Sequence, residues 1–503
     1  MSLAAAALGL ALLAAVPVAA GPKRPAGGFT FHGSGYGHGL GMGQFGMLGL
    51  AQQGWDATRI VRHYYSKVDV GPKQPARPDI RVGLLQAVGS VRLIAANGGF
   101  ALSLQSGQAI ETVPAGSRRT IEVTADRRFR IIRPDGTLVG DTAWGGQTDP
   151  VIAIREADAR VRVADWGHEI GHGLLRFEVA GEGQGHLVAV MPIEEYVLGI
   201  AEVPSSWPKA ALGAQAIAAR TYAYWRLAGG MRAGCGCDLF STVADQNYVG
   251  WDKLAAAGGD RWAGAVRDTE RIVATYQGAP IYAAYSSSSG GYTEDIEKVW
   301  PGSTPLPYLR GVCDPADDTA ANPSRFWQAS FDPGHVTAAL KPYTGDVGGI
   351  TRFSDWQLGV SGRVTRVTVV GSKGSRVLEG WDIRSGLTLK DTRFSVNRNL
   401  NIRGEIRQAY DAAGCRPGRA TGGQRRIRGG RLQTFVKGRI YEHLKRDTAA
   451  WLRGAMLNAY LNAGGHASRL RLPYRIRQIR GGQRGWFDGG TITCTGGCRV
   501  RFG

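Results

Sequence analysis

The sequence predicts an α+β protein: a core of short strands with a two-helix segment set into it, followed by a small basic C-terminal domain. Three observations point there. At 503 residues the chain is longer than one hydrophobic core organises. Between Ile80 and Val190, short alternating runs such as Ile80–Leu85 and Phe129–Arg133 are separated by Gly, Asn and Asp. From Pro192 to Trp225 the apolar residues change to helical spacing.

Bulk composition sets the limits. Hydrophobic residues make up 43% and aromatics 9%, so the chain has the material for packed cores. Its 74 glycines are about twice the usual ~7% share, which implies tight turns and backbone-lined grooves. The net charge of +20 is uneven: residues 401–503 hold 21 Lys and Arg against 5 Asp and Glu, a surplus of +16. A basic tail on a near-neutral body fits a polyanionic partner: nucleic acid, anionic membrane or the phosphate- and carboxylate-bearing polymers of a cell wall. The bland alternative is a merely soluble surface.

The N-terminus bears on that choice. Leu3–Ala20 is apolar and alanine-rich, ends in small residues and is followed by Gly21-Pro22-Lys23-Arg24, so residues 1–20 read as a secretory signal peptide. A retained membrane anchor is the alternative. No later stretch has the ~18–20 uninterrupted apolar residues of a spanning helix. Six cysteines fit an oxidising exterior, and Cys494 with Cys498 could close a small loop. Export argues against nucleic acid as a partner and leaves anionic cell-wall polymers for the basic tail.

In chain order, Phe29–Gly46 is a loop of alternating glycines, and a helix is expected over Met47–Tyr65, within a unit 29–70. Pro72–Pro78 is a proline-rich connector. Residues 80–190 form a strand meander or small sandwich. Within 191–398, Pro192 opens a short helix through Ile200, and Ser205-Ser206 caps a longer one with Pro208 in its first turn. Strands and loops are expected from Ile272 to Val396. Residues 414–432, rich in Gly and Arg, read as a linker to a terminal segment, 433–503.

Glu202 lies between the two expected helices, with apolar Ile200-Ala201 before it and Val203-Pro204 after it. A carboxyl held there is partly desolvated, which raises its pKa and lets it donate a proton near neutral pH. On its own, a Glu before a helix is more often a charge complementing the helix dipole. Arg220 either forks onto a carboxylate, Glu202 or one on a bound ligand, or forms a buried structural ion pair. Ser286–Ser289 lack the surroundings of a nucleophile elbow. Cys235 and Cys237 lack zinc spacing, which favours a disulfide or free thiol over metal, and no cofactor is expected.

The run Val190–Tyr222, with Glu202, Pro204, Trp207-Pro208, Gln215 and Arg220-Thr221-Tyr222, resembles the SpoIID/LytB family. Two further blocks agree: Ile281–Glu294 followed by Trp300 and Pro307–Leu309, and the loop Gly37–Gly46. In many members that loop follows the core, whereas here it precedes it, so the order is permuted. The resemblance covers about residues 29–398. It implies a lytic transglycosylase acting on peptidoglycan glycan strands, with Glu202 as the catalytic carboxyl. Substrate-binding candidates are Arg220, Gln215 and Tyr222 on the long helix, and Tyr285, Ser287, Ser288, Gly290, Gly291 and Glu294 in the serine–glycine block. His38 and Gln44 in the glycine loop complete the set. Glu294 is also the candidate second carboxylate. His38 either faces the groove or satisfies its own loop backbone. The family's LytB branch supplies the competing expectation, a non-catalytic wall protein that enhances an amidase. Asp238–Tyr248 resembles another family segment; where some members place His or Cys, this chain has Asp245. Residues 433–503 resemble one LGFP-type wall-anchoring repeat, with Arg471 in place of a glycine.

Overall fold

The computed structural model describes residues 28–72, 78–143, 149–153 and 158–503. The expected signal peptide, 1–20, and most of the proline-rich connector lie outside them. Strand alternation between Ile80 and Val190 folds into two sheets. One has six strands, in the order Leu138–Ala143, Arg128–Ile132, Arg118–Val123, Ser90–Asn97, Arg160–Val163, His168–Ile170. The other has seven, in the order Leu239–Phe240, Asp79–Val88, Gln184–Pro192, Leu174–Gly181, Pro150–Ala153, Phe100–Leu104, Ala109–Val113. Val91, Leu93 and Ala95 from the first and Phe100, Leu102 and Phe177 from the second are buried in a shared core, where Phe129 meets Phe177 at 5.8 Å. This is the two-layer packing that period-2 burial requires.

The helices depart from expectation in detail. The stretch expected as one helix over Met47–Tyr65 is two: α1, Gln44–Gln52, and α2, Ala57–Tyr64. Gly54 takes φ +83° between them, and Asp56 caps α2 by accepting from the Arg59 N–H at 2.8 Å. The short helix α3 runs Ile193–Leu198 and the long helix α4 runs Lys209–Ala228. Neither Ser205 nor Ser206 caps α4; its N-cap is Pro208, and Ser205 is buried in the preceding turn. Alanines at 211, 214, 216, 218, 219 and 223 are all buried, which lets α1, α2 and the helix Gly259–Asp268 pack against α4 on several sides. Besides the single turn Ile296–Val299, two longer helices interrupt the region expected as strands and loops, Pro333–Thr344 and Gly380–Gly386. The first begins with a signal that was in the sequence: Asp332 accepts from the His335 N–H at 2.9 Å, ahead of Pro333.

Long-range pairing joins the N-terminal glycine loop to the core. Phe29–Gly33 is the middle strand of a three-stranded antiparallel sheet, between Trp327–Phe331 and Phe394–Val396. Met42-Gly43 then pairs in parallel with Tyr285-Ser286.

Residues 414–432 are not a linker: they contain the strand Arg425–Ile427 and the start of Gly430–Phe435. They belong to a tandem repeat of which sequence reading saw only one copy. Helix Gly404–Ala412 and the sheet Arg425–Ile427, Gly430–Phe435, Gly438–His443, Thr448–Leu452 form the first unit. Helix Gly454–Asn462 and the sheet Pro473–Ile479, Gly482–Phe487, Gly490–Cys494, Cys498–Phe502 form the second. Registers coincide: Ile427 faces Gly430 as Ile479 faces Gly482, and Phe435 faces Gly438 as Phe487 faces Gly490. Tyr410 stacks on Phe435 at 5.4 Å and Tyr460 on Phe487 at 4.9 Å. All six cysteines pair, as Cys235–Cys237, Cys494–Cys498 and Cys313–Cys415, the last tying the first repeat to the core. Among the described residues no helix is long and apolar enough to cross a membrane.

Candidate functional site

Glu202 sits in the connection between α3 and α4, pinned by a neighbouring loop rather than by either helix. Ile200 bridges Tyr248, the Ala201 N–H donates to the Asn247 carbonyl at 2.8 Å, and Asn247 Nδ2 donates back to the Ala201 carbonyl at 3.0 Å. Gly199 admits the close approach: a Cβ there would lie 2.3 Å from the Tyr248 ring. With the backbone fixed, Glu202 Oε1 accepts the Asn247 N–H at 2.7 Å, and Gln44 Nε2, from the start of α1, lies 3.4 Å from Oε2. Burial raises the Glu202 pKa above the ordinary carboxylate range; hydrogen bonds from Asn247, Gln44 and the Tyr285 hydroxyl only partly oppose it.

The carboxyl faces a cleft of about 530 Å³. Its walls include Tyr36, His38, Gln44, Tyr222, Tyr282, Tyr285, Ser287, Trp300, Trp381 and Arg384. Trp300 and Trp381 stack at 5.1 Å, and the Arg384 guanidinium lies 4.4 Å from the Trp381 ring. Aromatic faces beside a polar floor suit a carbohydrate. Asp245 is the other carboxylate lining the cleft among the described residues, and it is fully engaged. It accepts from Arg232 Nη1 and Nη2 (2.6 and 2.8 Å), the Tyr222 hydroxyl (2.6 Å) and the Phe240 N–H (2.8 Å). Burial alone would raise its pKa, but these partners hold it below the ordinary range. Next to it, Gln246 accepts from the Tyr196 hydroxyl and donates to the Tyr285 hydroxyl, both at 2.8 Å, which orients Tyr285 against Glu202.

The cleft therefore gathers Glu202, His38, Gln44, Tyr222, Tyr285 and Ser287 from the expected set. Gln215 stands one layer back, fully buried, with its Oε1 3.4 Å from Gln44 Nε2. The imidazole of His38 is pushed down to about 4 by burial and by the Arg363 charge; its Nδ1 accepts the Leu40 N–H at 3.0 Å, so it serves its own loop while bordering the cleft.

Five candidates lie elsewhere. Arg220 is fully buried and forks onto Glu194, with Nε to Oε1 at 2.9 Å and Nη2 to Oε2 at 2.8 Å, so the ion-pair alternative holds. Glu294 is fully buried and accepts the N–H groups of Val360 (3.0 Å) and Ser361 (3.1 Å) and the Ser361 hydroxyl (2.6 Å). It fixes a loop and cannot act as a second carboxylate in the cleft. Ser288 is fully buried and donates to Asp317 at 2.8 Å, while Ser289 beside it donates to Asp314 at 2.7 Å. Gly290 and Gly291 bring backbone against protein rather than substrate: a Cβ on Gly290 would lie 2.8 Å from the Ser34 carbonyl. Sequence reasoning assigned no role to Gln246, Asn247, Trp381 or Arg384. Gln246 was visible as part of a family-like segment; nothing local marked the other three.

Comparison with known proteins fits this geometry. Residues 181–276 match the SpoIID family model, described as stage II sporulation protein. Over 228 residues the chain is 30% identical to stage II sporulation protein D of Bacillus amyloliquefaciens, covering 42% of this chain and 62% of that protein. The counterpart from Bacillus subtilis (strain 168) is 30% identical over 223 residues, 42% of this chain and 61% of that one. An amidase enhancer of the same organism is 39% identical over 116 residues, 23% of this chain and 14% of the enhancer. The chain thus spans about three fifths of the length of the sporulation proteins it matches. The match contains Glu202 and the Asn247 loop that holds it, so residues 181–276 are a SpoIID-like stretch of this chain.

Proposed function

We propose that this protein is an exported cell-wall enzyme, a lytic transglycosylase that cuts peptidoglycan glycan strands with Glu202 as its one acid/base. The observation that carries this reading is the inventory of carboxylates: Glu202 lines a sugar-sized cleft with its pKa raised by burial, and Asp245 has no free lone pair for a water or a sugar carbon. Two-carboxylate hydrolysis wants a second free acid about 5–9 Å away; a one-carboxyl reaction does not. The Glu202 proton passes to the glycosidic oxygen between N-acetylmuramic acid and N-acetylglucosamine as the C1–O bond breaks. The C6 hydroxyl of the muramyl residue closes onto C1, and its proton goes to the carboxylate, leaving a 1,6-anhydro end and a restored acid with no water consumed. Trp300, Trp381 and Tyr36 supply faces for sugar rings, and Arg384 supplies a cation for a lactyl carboxylate. The basic repeat module, of LGFP-like type, would keep the enzyme on anionic wall polymers.

Glu202→Gln tests this. Purified sacculi and peptide-free glycan digested with the wild type should yield anhydro ends by mass spectrometry, and the variant should lose them by about 10²–10⁴-fold with its fold intact. Products heavier by one water would replace the reaction with hydrolysis. Because the acid form is needed, wild-type kcat/KM should fall on the alkaline side of the raised Glu202 pKa. The amidase enhancer similarity supports a second reading, a wall-binding partner of an amidase; enhancement that survives Glu202→Gln, with no anhydro product from the wild type, would select it.

A further inference from the structure

The tandem repeat carries a surface that the Glu202 cleft does not use. In the first repeat, the sheet face bearing Leu432, Tyr441 and Ala450 is apolar and buried against Tyr460 and Phe487 of the second. An offset of 52 residues, set by Phe435 and Phe487, locates the corresponding face of the second sheet. There Arg484 stands in place of Leu432 and Thr493 in place of Tyr441. Strand register completes two rows across that face: Arg477, Arg484, Thr493, Arg499, and beside it Arg475, Trp486, Thr491, Arg501. All five arginines are exposed, and neither row contains an acidic residue. The nearby carboxylates Glu442 and Asp488 are taken by Arg431 and by His443 and Arg446. Arg475 and Arg484 flank the half-buried Trp486 ring at 5.4 and 5.3 Å.

A repeat face that needed only to be wet would mix charges of both signs. Here Arg477 directly faces Arg484 across adjacent strands, an arrangement that destabilises a sheet unless something anionic lies over it. At about 4.8 Å between strands and about 3.3 Å per residue, the rows are roughly 14 Å long and about 6.6 Å apart. That is an area for several charges along a chain rather than for one ion. A second copy of this face would set arginine on arginine. Trp486 offers an aromatic edge framed by cations, and Thr491 and Thr493 place hydroxyls between the arginines, a combination suited to sugar rings carrying charged groups.

We propose that this face of the second repeat binds an acidic polysaccharide, with guanidinium groups pairing to its carboxylates or phosphodiesters and Trp486 contacting a sugar ring. The proposal takes its wall-surface setting from the reading above but does not depend on what Glu202 catalyses. The test compares binding of the full chain to polygalacturonate, neutral dextran, single-stranded DNA and phosphatidylglycerol vesicles at several salt concentrations. Arg477→Gln/Arg484→Gln should weaken polygalacturonate binding by about tenfold and lower the salt slope by about two charges. Its melting temperature should not fall, because a like-charge contact is removed. Arg425→Gln/Arg426→Gln, which removes the same charge from exposed positions of the first repeat, should change binding less than threefold. Trp486→Ala should weaken polygalacturonate more than DNA. Equal losses from both double variants would overturn the assigned face, and so would an absence of polygalacturonate binding. DNA or vesicles bound as tightly as polygalacturonate, with the same response to the variants, would overturn the polysaccharide. Anhydro-end release measured on the same samples reports separately on Glu202.

Discussion

Glu194→Gln tests whether Arg220 is structural or faces substrate. Arg220 is fully buried, and both of its forked contacts end on Glu194, whose own side chain is 14% exposed. The carbonyls of Val266 (3.2 Å) and Ile272 (3.3 Å) take further guanidinium N–H groups, and the Arg271 N–H donates to Glu194 at 3.1 Å. Glutamine keeps the volume, deletes the charge and turns an amide N–H toward the guanidinium, leaving a cation without compensation in the interior. Removing one partner of a buried pair costs about 3–5 kcal/mol. The two carbonyls and the partial exposure of Glu194 place this case near about 3 kcal/mol. At about 2–4 °C per kcal/mol, the melting temperature should drop by about 6–12 °C. Replacing both partners, Glu194→Leu with Arg220→Met, should recover most of the loss, because a neutral packed pair no longer buries a charge. Calorimetry gives the stability, and anhydro-end release per folded molecule, measured well below the transition, gives the activity. A Glu194→Gln protein that melts like the wild type yet loses more than tenfold in activity would refute the structural assignment and return Arg220 to the substrate.

Two further outcomes follow from buried groups behind the cleft. Asp314 and Asp317 are buried together and held by Ser289, Tyr64 and Ser288. Burial raises Asp314 to about 7 and Asp317 to about 6, with mutual repulsion adding to the first. Raised folded-state values mean a stabilising contribution that is complete below about pH 4, the unfolded range, and is lost as pH rises through the raised folded-state pKa values. The wild-type melting temperature should therefore decline between pH 5 and 8, and Asp314→Asn should flatten the decline; an unchanged slope would locate the pH dependence elsewhere. Cys313–Cys415 closes a separation of 102 residues, worth about 4–5 kcal/mol by the loop-entropy estimate. Cys313→Ser/Cys415→Ser should lower the melting temperature and speed proteolysis ahead of the repeats, and equal protease resistance would show that packing alone holds the module.

What could be read in advance depended on how local the cause was. The two sheets followed from alternation within single strands, and α3 and α4 from one run of helical spacing, because those signals lie in contiguous residues. The break at Gly54, the N-cap at Asp56 and the helix start at Asp332-Pro333 were also local but were passed over. The second repeat stayed hidden because its aligned positions exchange apolar residues for arginine, Leu432 for Arg484 above all, while the glycines and aromatics that fix the register persist. At the site, residue type marked Glu202, but orientation was not legible. Arg220 and Glu294 are as suited to substrate as to structure, and only burial and partners separate the two uses.

The non-local part of the site leads to one last expectation. Glu202 owes its backbone pose to Asn247, within the family-matched stretch, but two of the groups that bear on its carboxyl, Gln44 and Tyr285, lie outside it. Gln44 arrives only because Phe29–Gly33 inserts between Trp327–Phe331 and Phe394–Val396, and because Met42-Gly43 pairs with Tyr285-Ser286. These same pairings carry the glycine loop into the core between strands that come far later in the chain. Gln44 and Tyr285 also line the cleft beside Glu202, where burial raises the carboxyl pKa while their hydrogen bonds lower it. Removing the Gln44 amide by Gln44→Ala deletes a weak bond to the anion but admits water, and the second effect should be larger because the bond is 3.4 Å long. The alkaline limb of kcat/KM should then move to lower pH. A shift to higher pH would mean that the Gln44 hydrogen bond outweighs the desolvation.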